Sequence, residues 1–305
     1  MSVFNWDDVD GRRREAGDIH AVWHDLGSAA GTVRIGLNRM VIEPGRRSTP
    51  AHIHGAEEEI FHVLGGSGLL WQDGETCRVQ AGDTIAHVAN MQTHTLRAGD
   101  DGLDVLAFGT RVPIELCHLP RAGYAWAGPT VVESPGLRNL FRLDDAAGEF
   151  AFPEPGERFA NVAALDDVEP DPGPIGRVRR DLGSAAGSRH TGLKLVDCEP
   201  SRLVCVPHCH SADEELFVVL SGEGTCTLGD VEHPLRPGSL LARPPGTGIA
   251  HALRAGSTPL RVLTYGTREP NDICYYPRSG KVYLSGVDVL GRIEPVDFWD
   301  GEEWD

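Results

Sequence analysis

The sequence predicts an all-β protein made of two domains of one fold. Two observations carry this. Thirty-seven glycines and twenty-one prolines punctuate the 305 residues, leaving short runs rich in β-branched and aromatic residues between them, such as "IFHVL" (60–64), "LFVVL" (216–220), "DVLAFGT" (104–110) and "RVLTYGT" (261–267). Short apolar runs bounded by turn-forming residues read as strands, and no long amphipathic helix interrupts them. The second observation is that the chain is written twice. "DLGSAAG" at 25–31 returns at 181–187, an offset of 156 residues. With 40% hydrophobic residues, the length suits two ordinary domains with ample cores.

The offset persists through the strand-like segments. His52, His54, Glu59 and Gly66 match His208, His210, Glu215 and Gly222. After one inserted residue the offset is 157, and His94, Arg111, Cys117 and Pro120 match His251, Arg268, Cys274 and Pro277. The leading segments echo too, as "DDV" at 7–9 and 166–168. The seam is expected in "FAFPEPGERF" (150–159), poor strand material, which divides the chain into domains 1–152 and 153–305. Duplicates of this kind are expected to pack as a pseudo-two-fold pair.

Composition excludes several roles. Lys and Arg number 28 against 45 Asp and Glu, a formal charge of −17, which repels phosphate backbones, so no nucleic-acid partner is expected. Arg12–Arg14 reads as a solvated loop. The acidic start "MSVFNWDDVD" has no apolar core of a signal peptide, and no apolar run reaches the ~20 residues that span a bilayer. Seven cysteines at irregular spacing, without a CxxC pair, fit reduced thiols and a cytoplasmic location.

The repeated histidines carry the chemistry. Residues i and i+2 of a strand share a face, so His52 and His54 point the same way, about 7 Å apart by strand rise. In "EEIFHVL" Glu59, Phe61 and Val63 share a face, which brings the Glu59 carboxylate beside the two imidazoles if that face looks inward. His94 is placed to join from a neighbouring strand. The same reading gives His208, His210, Glu215 and His251 in the second half. Three imidazoles and one carboxylate suit Fe, Mn, Ni, Zn or Cu as a divalent transition metal ion, up to one per domain, without choosing among them. Such sites leave positions open for water or substrate. One HxH alone is a weak signal; the full set recurring in register is not.

These motifs resemble those of the cupin superfamily, and the duplication resembles a bicupin. Gly45, His52, His54, Glu59 and Gly66 match the first cupin motif, as do His208, His210, Glu215 and Gly222, with Ser201 at the leading glycine. The second motif is looser: Gly82 and His94 match, with Val88 and Asn90 at its Pro and Gly positions. Gly238, Pro244, Gly246 and His251 match in the second half, and the terminal asparagine is absent from both. "NDICYYPRSGKV" (271–282) resembles a segment of uncharacterised bacterial cupins. The resemblance implies two double-stranded β-helix (jelly-roll) barrels with a metal in each mouth.

The two halves differ at matched positions. His62 faces Val218 across the repeat and, by strand parity, lies opposite Glu59, which makes it an interface or surface group rather than a ligand. His87 faces Arg243; both are read as surface residues, with reach to an anionic substrate as the alternative. Cys209 is read as a small buried hydrophobe. Cys117 and Cys274 are read as packing residues between the halves. "GGSG" (65–68) lies in a strand–turn and is no phosphate cradle. The expected function is a metal-dependent enzyme acting on a small organic molecule, with dioxygenase chemistry of the quercetin-dioxygenase kind first, since the resemblance to bicupins implies it. The alternatives are a metal-dependent decarboxylase or isomerase, and a non-catalytic small-molecule or metal sensor. A homo-oligomer is compatible with all of them.

Overall fold

A computed structural model describes residues 3–127, 130–131, 140–174 and 176–302. Each half is an antiparallel β sandwich rolled into a barrel. In the first half one sheet runs Thr84–His87, Glu59–Gln72, His94–Thr110, Ile35–Ile42, Ile19–Asp25, Arg12–Ala16. Its counterpart in the second half runs Ser239–Arg243, Glu215–Ser221, Leu260–Thr267, Thr191–Cys198, Arg177–Asp181, Asp171–Gly173. Ladder order repeats with the sequence offset, and so does register in the ladders inside the outermost one, so the duplication is one of structure as well.

The motif glycines mark where strands bend from one sheet into the other. Gly66 has φ 79°, and a Cβ there would lie 2.2 Å from the Gly102 carbonyl oxygen. At Gly222 (φ 84°) the same atom would lie 2.0 Å from the Pro259 oxygen. Only glycine permits both the dihedral and the close approach.

Alternation along the strands builds three cores. Phe61, Val63, Met40, Ile42 and Leu96 fill the first barrel, and Phe217, Val219, Val196, Cys226 and Leu253 the second. The opposite faces form a third core shared by the halves, with Ile60, Leu106 and Phe108 against Leu193, Leu216 and Leu263, and the Phe108 and Tyr265 rings 4.9 Å apart. His62 belongs to this outward face. It is buried, and its Nδ1 lies 2.9 Å from Thr84 Oγ1.

Two further devices join the halves. Each leading segment adds an edge strand to the other half's sheet: Phe4–Asn5 pairs with Leu240 and Ser239, and Val162–Ala163 pairs with Ile85 and Thr84. The glutamate preceding each of Glu59 and Glu215 also crosses over, to cap a turn of the other half. Glu58 accepts from the backbone N–H groups of Arg189, His190 and Thr191 and from the Ser188 hydroxyl. Glu214 accepts from those of Val33, Arg34 and Ile35. Both carboxylates are buried, and such charge-assisted bonds are the strong ones.

Candidate metal centres

Strand pairing assembles each cluster. His52 and His94 exchange backbone hydrogen bonds (2.9 and 3.2 Å), and His208 pairs with His251. Glu59 and Glu215 approach from the facing sheet. In the first barrel the candidate ligand atoms of His52, His54, Glu59 and His94 all lie within 4.8 Å of one another. In the second, Glu215 Oε2 lies 3.4 Å from His208 Nε2, 3.4 Å from His210 Nε2 and 3.0 Å from His251 Nε2. The structure thus brings together all eight residues singled out from the sequence, four in each half.

The rings are aimed as ligands. The Nδ1–H groups of His52, His94 and His208 donate to the Pro50, Gln92 and Val206 carbonyl oxygens at 2.9, 3.1 and 2.7 Å. A carbonyl can only accept, so Nδ1 carries the proton and Nε2 turns a lone pair toward the cluster. His210 gives its Nδ1 proton to Asp272 (2.7 Å), while His54 Nδ1 lies 3.5 Å from Glu115. His54 Nε2 and His251 Nε2 are buried and out of hydrogen-bond alignment with any protein acceptor, as is Glu215 Oε2. Converging donor atoms without aligned partners fit a cation.

Charge states fit as well. Burial lowers His52 to about 3, helped by His94 and His54, and burial also takes His251 to about 4. Burial would raise Glu59, but His94, whose Nε2 lies 3.1 Å from Oε2, and the neighbouring rings outweigh it and hold it at about 2. Glu215 is held well below its ordinary value by its three histidines, against the same burial. Against burial, Glu115 and Glu59 raise His54, and Asp272, Cys274 and Glu215 raise His210, so each of these two rings holds a proton that a metal ion would displace on binding.

Glu115 and Asp272, which the sequence reading missed, support the clusters. Glu115 accepts from the N–H groups of Gly55, Ala56 and Glu57 at 2.7–3.1 Å, and Asp272 from those of Ala212 and Asp213 at 2.8 and 3.0 Å. Each ties the turn after HxH to the second histidine of the motif. Their match at the 157 offset was the available signal.

Three expectations need correction. His87 and Arg243 are buried, not on the surface. The His87 ring stacks on His94 at 3.6 Å and 6° and meets Gln72 Oε1 at 3.0 Å, while Arg243 donates to the Ile249 carbonyl (2.6 Å) and Thr247 (3.1 Å). The strand before the second-motif turn is covered by the facing sheet, which parity alone does not reveal. Cys117 and Cys274 do not pack between the halves; they pair with His54 and His210 at the rim of each cluster. Cys209 is buried as read.

The second cluster opens on a cavity of about 540 Å³, lined among others by Arg177, Lys194, Phe217, Cys274 and Tyr276. Among the described residues, no helix is long and apolar enough to cross a membrane.

The cupin domain family matches residues 38–108 and again 194–266. No curated protein sequence matches the chain. Similar solved structures include oxalate decarboxylase from Lactobacillus farciminis in complex with formate (TM-score 0.60, 15% identity, 88% of this chain and 86% of that one). Another is oxalate decarboxylase from Bacillus subtilis at pH 4.6 (TM-score 0.58, 17% identity, 87% and 75%). A further structure of the Bacillus subtilis enzyme (0.57, 16%, 89% and 78%) is described for its Mn(II) centres. At these identities the likeness is one of fold. Two matches to one family, laid over the two halves that the fold repeats, make this chain a bicupin of the cupin superfamily.

Proposed function

We propose that this bicupin is a metal-dependent enzyme that releases carbon dioxide from a small organic acid, with one divalent ion per barrel. His52, His54, Glu59 and His94 would hold one ion, and His208, His210, Glu215 and His251 the other. The observation that carries the reading is the convergence, in each barrel, of three imidazoles on a half-buried carboxylate, one cluster standing at the wall of a 540 Å³ cavity. When bound, the ion supplies a Lewis acid for a substrate oxygen. The chain supplies the rest. The Pro50, Gln92 and Val206 carbonyls and Asp272 fix the rings. Phe61 and Phe217 pack edge-on against His94 and His251 (5.8 and 5.3 Å) and keep the inner side of each cluster dry.

Decarboxylation moves ahead of dioxygenase chemistry because the similar structures are decarboxylases, and Mn(II) comes first among the candidate metals for the same reason. Elemental analysis should give close to two ions per chain, falling by one in each of Glu59→Ala and Glu215→Ala. Mn(II)-loaded protein is then given small carboxylates, catechols and flavonols while carbon dioxide and dioxygen are followed together. Carbon dioxide release without net dioxygen uptake is expected. Dioxygen uptake into product would replace this reading with the oxygenase one, and binding without product would make the protein a sensor.

A further inference from the structure

The inward faces of the two barrels differ in charge. On the strands beside the second cluster, Arg177, Arg179 and Lys194 face the cavity. The matched positions of the first half are Ala21, Trp23 and Asn38. Three cations on one inner wall of a chain with formal charge −17 run against its composition.

Their partners sharpen the contrast. Arg179 is paired with Asp171 at 2.5 Å. Arg177 gives Nη1 to the Val204 carbonyl oxygen (2.7 Å), and among the described residues no carboxylate lies within ion-pair distance of Arg177 or Lys194. Asp213, the acid other than Glu215 on the lining, turns Oδ1 to the Glu269 N–H and the Thr267 hydroxyl. In the first half the position matching Leu203, on the cavity rim, holds Arg47. That guanidinium is 1% exposed and tied to Asp18 and Asp144.

We propose that the C-terminal barrel is the reacting site, and that its substrate is a dicarboxylic acid longer than oxalate. One carboxylate meets the metal cluster and the other is held by Lys194 and Arg177. The room permits the length: a cleft of about 540 Å³ takes more than two carbons. An unpaired, half-buried cation gains from an anion that restores its lost solvation. The N-terminal centre, with its neutral wall, holds a metal without taking this substrate.

The proposal rests on the metal-dependent reading, so metal content is measured in every preparation. Calorimetry on Mn(II)-loaded protein compares glutarate with butyrate, which lacks the second carboxylate. Glutarate is expected to bind at least 10-fold more tightly. Lys194→Asn with Arg177→Ala, which installs the residues that the first barrel already accommodates, should erase the preference while leaving two ions in place. Lys194→Arg should restore part of it. The preference should survive Glu59→Ala and vanish in Glu215→Ala. Equal binding of the two acids by wild type, a preference that outlives the double variant, or one that is lost with Glu59 instead of Glu215 would each overturn the proposal. A wild-type chain without metal would instead overturn the reading beneath it.

Discussion

Asp272 and Glu115 are the residues whose change separates holding a ring from holding a metal. Neither belongs to the two clusters of three histidines and a glutamate. Asp272→Asn keeps shape but weakens the bond that orients His210 and loosens the turn at Ala212–Asp213. A ~10–100-fold loss of metal affinity is expected in the C-terminal centre alone, read by competition with a chelator, and Glu115→Gln should do the same in the N-terminal centre. The eight candidate ligands were legible because residue type, spacing and repetition agreed. These two carboxylates fall outside the motif, and an isolated acid has no local signature. Arg177 and Lys194 were equally silent, because what marks them is the contrast with Ala21 and Asn38 across the repeat. Burial of His87 and Arg243 is a property of the facing sheet, and no local pattern reports it.

At the scale of elements, strands and turns were legible from glycine and proline punctuation, whereas strand exchange was not. A two-residue edge strand such as Phe4–Asn5 is too short to show alternation. The leading segment is held at Trp6, whose backbone N–H donates to the Gly238 carbonyl (2.9 Å). Gly238 has φ 83°, and a Cβ there would lie 2.4 Å from Trp6 Nε1. Gly238→Ala should therefore cost about 2 kcal/mol or more, from backbone strain plus displacement of the indole. Gly45→Ala is the control, since φ is 69° but nothing lies within 4 Å of the added atom. The difference between their melting temperatures reads the Trp6 contact. Equal shifts would mean that the indole is not what holds the segment.

On the scale of the whole molecule, the shared core and the crossed glutamates predict one cooperative unfolding transition in calorimetry, with neither half separately stable. Glu58 makes this pH-dependent. Burial would raise its carboxyl, but hydrogen bonds from Thr191, Arg189, Ser188 and His190 outweigh it and hold the group below its ordinary value. A lowered folded pKa means that the unfolded chain binds more protons on acidification. The contribution is thus full above the ordinary glutamate value of about 4.3 and is lost as pH falls through the folded one. Glu58→Gln should cost about 3 kcal/mol at pH 7, from several charge-assisted bonds lost at once, and should flatten the acid limb of melting temperature against pH. An unchanged limb would show that the crossed bonds do not carry the coupling.

The reciprocal loan of edge strands also bears on ancestry. Two copies of a single barrel trading their N-terminal strands would make the same contacts, so joining them end to end would require no new interface. The two inner walls can differ in charge, as Arg177 and Lys194 differ from Ala21 and Asn38, without disturbing the exchanged strands.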